Sequence, residues 1–121
     1  MKINGIELEF NCMESQTARK YEKAVKHAAE MAGRTKEAKK EFQKIDILCR
    51  GIKESFDLIF GDGTGAKVCG EKNDLSKCID AYTQLAEEKD RQTKESIDKT
   101  NKLVEIVNGI SNKKTPNLPC N

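Results

Sequence analysis

The segment Gly61-Asp62-Gly63-Thr64-Gly65, followed by Ala66 and Lys67, is where this 121-residue chain comes nearest to a chemical motif. Three glycines in five residues leave backbone N–H groups unscreened by side chains. Such a loop can wrap a phosphate or a carboxylate, with Thr64 adding a hydroxyl and Lys67 a charge. The spacing is not that of a P-loop, which needs GxxxxGK[ST] after a strand; here Ala66 separates Gly65 from Lys67, and the preceding segment reads as helix. Three readings stay open: a helix stop with a tight turn, an anion or nucleotide contact, or a protein contact. In the anion reading, Arg19, Lys20 and Lys23 of a neighbouring copy join Gly61, Gly63, Thr64, Gly65 and Lys67 around the ligand.

Other reactive groups form no recognisable set. His27 is the one histidine, and no Ser or Cys stands with it in a catalytic motif. Asp57 and Asp62 lie five apart without the alternating oxygens of a calcium loop. Cys12, Cys49, Cys69, Cys78 and Cys120 include no CxxC pair, and a single histidine makes ordinary Cys/His zinc sites hard to assemble. The five are read as reduced thiols, with Cys49 and Cys78 acting as small apolar residues on helix faces. No catalytic residue, metal or cofactor is expected, and the chain is read as a non-enzyme.

These residues need elements to hold them. Ile6, Glu7, Leu8, Glu9 and Phe10 alternate after Asn4-Gly5, which predicts a small hairpin with a type I′ turn, or one strand with a tight start. Ser15 or Thr17 can cap a first helix, with Tyr21, Val25, Ala28 and Ala32 on one face and an end near Gly33. A second helix is predicted from about Thr35 to Phe60, and Gly61 stops it. Val68 and Cys69 read as a short extended piece. Asn73 or Asp74 caps a third helix with Leu75, Cys78, Tyr82 and Leu85 on its face. No Gly or Pro interrupts Ala86 to Ser96, and acid-to-base pairs at i,i+4 recur from Glu87 to Lys102. One long helix to Ile110 is the simpler reading, and a break near Arg91–Thr93 is the alternative. The fold class is thus mainly α: a short N-terminal β segment, then three or four helices, the last one long. Residues 1–111 make one domain, and 112–121, with Pro116 and Pro119, a mobile tail.

Composition bears on the partners. Hydrophobic residues make up 36% of the chain, charged residues 35% and aromatics 5%, with a net charge of +2, so a compact core built by one copy would be thin. Phe42, Ile45, Cys49, Ile52, Phe56 and Ile59 recur at spacings of three and four, a seam close to a heptad repeat. That seam suits either an internal core or a helix-mediated homo-oligomer, and self-association is expected. Residues 19–44 carry nine Lys/Arg against four Asp/Glu, yet acids interrupt the run and aromatics are few, so nucleic acid is an unlikely partner. No apolar run reaches the length of a membrane span. The chain has no signal-like N-terminus either, so a cytoplasmic protein is expected.

Ile3-Asn4-Gly5 with alternation to Phe10, followed by helices, resembles the start of small tail-assembly chaperones of long-tailed bacteriophages. A closer similarity is to a family of small proteins encoded in the tail-gene clusters of Gram-positive phages and prophages. It is carried by Ile3-Asn4-Gly5, Phe56-Asp57, Phe60-Gly61-Asp62-Gly63-Thr64, Gly70, and Leu75 through Cys78 to Tyr82. It covers most of residues 1–90 and departs at Cys69, where family members carry an aromatic. The resemblance implies a non-enzymatic helical assembly protein that contacts phage tail proteins in the host cytoplasm. The alternative is an anti-defence sponge, a homo-oligomer that sequesters a small anionic nucleotide signal through the glycine loop.

Overall fold

A computed structural model describes residues 1–114, with side chains through 110. Strands β1 (Lys2–Ile3) and β2 (Ile6–Glu7) pair antiparallel, Lys2 opposite Glu7 and Ile3 opposite Ile6. Asn4 and Gly5 turn between them at φ +47 and +82, the left-handed pair that a type I′ turn requires. Helices α1 (Ser15–Gly33), α2 (Glu41–Phe60), α3 (Thr64–Cys69) and α4 (Leu75–Lys114) follow, with a 3-10 turn at Arg34–Glu37.

The cap of α1 is Glu14 rather than Ser15 or Thr17. Its carboxylate accepts the N–H groups of Gln16 and Thr17 at 3.0 Å, and the Thr17 hydroxyl donates to it at 2.9 Å. Gln43 sets the start of α2 by accepting the N–H groups of Lys39 and Lys40. The chain therefore turns through Arg34–Glu37 before α2 begins, and α2 is shorter than its sequence suggests.

α1 and α2 form an antiparallel pair. Ser55, fully buried, donates to the Gly51 and Ala24 carbonyls at 2.8 and 3.0 Å, and His27 meets Glu54 at 2.9 Å. Ala24 and Gly51 are both buried at this contact, where small residues let the two backbones approach. Phe10 packs on Tyr21 and Phe60, and Phe60 on Phe56, with ring centroids 5.8 to 6.0 Å apart.

A single copy does build its own core. Ile3, Ala24, Cys49, Phe56, Ile59, Val68, Cys69, Cys78, Ala81 and Leu85 form one buried cluster. This corrects the assignment of the α2 seam as an oligomer interface. Cys49, Phe56 and Ile59 are sealed by α1, α3 and α4 of the same chain, Ile45 and Ile52 are half-buried against the cluster, and only Phe42, 60% exposed, stays outside. The shortfall of large side chains is met by three thiols and by α3, a helix where the sequence predicts a loop with a short extended piece at Val68 and Cys69.

α4 is one continuous helix of 40 residues, unbroken at Arg91–Thr93. Asp74 caps it, accepting the Lys77 N–H at 3.3 Å. Arg91, where a break was conceivable, instead bridges Glu88 and Glu95 at 2.8 Å, and Asp90–Lys94 and Glu95–Lys99 close at 3.1 and 3.4 Å. The tail expected from Asn112 overlaps the last turn of α4, and its residues from 115 lie outside the described ones.

Candidate interaction surface

The glycine loop is occupied by its own fold. Gly61 and Gly63 take φ +110 and +91, which end α2 and start α3. Thr64 and Gly65 are buried. A Cβ at Gly65 would strike the Lys53 backbone, so glycine is there to let α3 lie on α2. The Gly65 N–H, one of the donors an anion would need, donates instead to Asp57 Oδ1 at 2.8 Å. The groove beside the loop is lined by His27, Glu54, Asp57, Leu58 and Asp62, three of them acids that repel an anion. Lys67 on α3 and Arg19, Lys20 and Lys23 on α1 are exposed and absent from that lining. The residues expected to share a phosphate site are thus not gathered into one within a single copy.

His27 has Glu54 as its partner and no nucleophile in the groove they share. Burial alone would raise the Glu54 carboxyl, but the hydrogen bonds from His27 and Arg50 together outweigh it and hold the carboxyl below its ordinary value. Cys49, Cys69 and Cys78, from α2, α3 and α4, meet in the core. Burial first, and the neighbouring thiols second, push Cys49 up to about 12 and Cys78 up to about 11. Such thiols stay protonated and unreactive near neutral pH. No group of three or more His, Cys, Asp or Glu among the described residues is arranged to hold a metal ion.

The surface that stands out lies on α4. Its first half is tied down along its length by the N-terminal segment. Asn4 donates through its side chain to the carbonyls of Val68 (2.8 Å) and Lys77 (3.2 Å) and exchanges two 2.8 Å hydrogen bonds with Gln84. Two turns further on, Gln92 accepts the Cys12 N–H at 2.8 Å and donates to the Phe10 carbonyl at 2.7 Å. Lys89 lies over the Tyr21 ring at 5.8 Å. Cys78, Ala81 and Leu85 face the core.

Beyond Ser96 those ties end. Every residue from Ile97 to Asn108 is exposed. The helix nonetheless carries Ile97, Leu103, Val104, Ile106, Val107 and Ile110 there, each 46–59% exposed. From Ile97 to Lys114 this arm runs for roughly 25 Å at the α-helical rise. At 100° per residue, Ile106, Ile110, Leu103, Val107, Val104 and Ile97 sweep about half of the helix circumference. For these residues the sequence predicts only a helix running to Ile110. Their spacing was visible, but whether another part of the chain would cover them was not.

No helix among the described residues is long and apolar enough to cross a membrane. No curated protein sequence and no solved structure matches the chain. Residues 4–117 match the family of unknown function designated DUF6673, and the chain belongs to that family.

Proposed function

We propose that the chain is a non-enzymatic helical assembly protein that acts through protein–protein contact, of the tail-assembly-chaperone kind implied by its Ile3-Asn4-Gly5 start and its Phe60–Thr64 stretch. It works in the cytoplasm of a phage-infected bacterium. The observation that carries this reading is the apolar face of the α4 arm. Six half-exposed aliphatic side chains present on the order of 500 Å² of apolar surface, near the upper end of what a monomeric protein leaves to water in one patch. An exposed patch of that size is suited to contact with another protein. The α1–α2–α3 body holds the arm at its base and leaves the apolar face free. The spent glycine loop and its acidic neighbourhood give the nucleotide sponge no comparable support.

The test is co-expression with phage tail subunits that are poorly soluble alone. The soluble yield of at least one subunit is expected to rise with the wild-type chain and to fall back with an Ile106→Glu/Ile110→Glu variant. Unchanged yields for every tail subunit would overturn the reading.

A further inference from the structure

We propose that the arm of α4 is a self-association element, and that it packs with the arms of at least two further copies of this chain in a bundle of three or four helices. The inference rests on the reading of the arm as a protein-contact surface and names the partner of that surface.

The register of the arm is the first argument. Ser96, Thr100, Leu103, Val107 and Ile110 are spaced four, three, four and three apart, the alternation of a coiled-coil seam. Taking Thr100 and Val107 as a positions puts Ser96, Leu103 and Ile110 at d. Ile97 and Val104 then fall at e, and Ile106 at g. These flanking positions carry charges in a two-stranded coil; here three of them are aliphatic and more than half exposed. A pair of helices covers the a and d lines and leaves e and g at the edge. Closing a face about half the circumference wide takes neighbours on both sides, so the bundle holds more than two arms.

Area is the second argument. Stable interfaces bury about 800 Å² on each partner, a little over half of it apolar. The roughly 500 Å² of aliphatic surface on one arm, with its polar flanks, meets that requirement. Among the described residues no other exposed apolar group does so. Met13, Val25, Phe42, Leu58 and Ile79 are spread over three helices and the N-terminal segment. The arm places six such residues within fourteen positions of one helix.

Chemistry supplies the third. The apolar stretch of the arm, Ile97 to Ile110, holds Asp98, Lys99, Lys102 and Glu105, two acids and two bases, and so carries no net charge to repel identical copies; Lys113 and Lys114 follow it in the last turn of α4. Residues 19–44, at net +5, lie on α1, the 3-10 turn and the start of α2.

Sedimentation and light scattering of the purified full chain at tens of micromolar test this. The expected mass is three or four times the 13.6 kDa protomer. A Leu103→Glu/Val107→Glu variant is expected to run at the protomer mass with the melting temperature of the α1–α3 body kept, because both residues are exposed within one copy. Phe42→Glu is expected to leave the assembly intact. A monomeric or strictly dimeric wild type overturns the proposal, as does an assembly that survives L103E/V107E. A monomeric wild type that still raises the soluble yield of a tail subunit overturns self-association alone. An arm-dependent trimer or tetramer that assists no tail subunit supports self-association and removes the assembly role.

Discussion

A methyl group on residue 65 would lie 2.6 Å from Lys53 Cα and against the Lys53 carbonyl oxygen, and neither backbone atom can step aside without moving α2. Gly65→Ala is therefore expected to cost about 3 kcal/mol, the upper range for overpacking a filled site. In thermal unfolding this appears as a drop in Tm of roughly 10 °C; an unchanged melting curve would contradict the packing role assigned to Gly65. The core thiols give a second prediction at this scale. Cys49 and Cys78 have pKa values raised in the folded chain from 9.0 to about 12 and about 11. The unfolded chain ionises first as pH rises, so the stability linked to these thiols is fully present below about pH 9 and is lost as pH climbs through 11 to 12. Tm is expected to fall steeply over that window, and the fall is expected to be smaller in Cys49→Ala even though that variant starts lower at pH 7. Equal alkaline slopes in the two proteins would count against it.

Among the elements, the N-terminal strap does the most with the fewest residues. Asn4 and Gln92 bind the backbone of one element to the side chains of another 64 to 82 positions away. Asn4→Ala leaves the Val68 and Lys77 carbonyls and the Gln84 amide without their partner and is expected to cost about 2 kcal/mol. Gln92→Ala is expected to cost less, and to raise hydrogen exchange at Cys12 while leaving the α1–α2 pair unchanged; uniform exchange changes across the molecule would contradict a local tie. The hairpin was legible because Asn-Gly and strict alternation are local signals. The continuity of α4 was legible because its acid–base pairs sit at i,i+4 and no Gly or Pro interrupts them before Gly109. The 3-10 turn and α3 were not. The first depends on Gln43 reaching back to Lys39 and Lys40, and the second on Gly65 docking against Lys53 from a different helix. The Glu14 cap was missed because a carboxylate can take the place of the hydroxyl cap that Ser15 or Thr17 suggested.

For the whole molecule, the heptad-like seam on α2 suits an internal core as well as a surface for other copies, and its later half closes a core with thiols, small residues and the rings of Phe10, Tyr21, Phe60 and Tyr82 of the same chain. The arithmetic of few large side chains was sound, but it could not foresee that Cys49, Cys69 and Cys78 would fill the junction of three helices. What this body leaves unfilled is the far half of α4, and the apolar face there carries the account of the protein as an assembly element. Amide hydrogen exchange across α4, followed as a function of protein concentration, tests that claim most directly. At tens of micromolar the amides from Ile97 to Ile110 are expected to be protected nearly as well as those around Leu85, and dilution to the nanomolar range is expected to release them while the body stays protected. Exchange in the arm that is fast at every concentration would contradict the account.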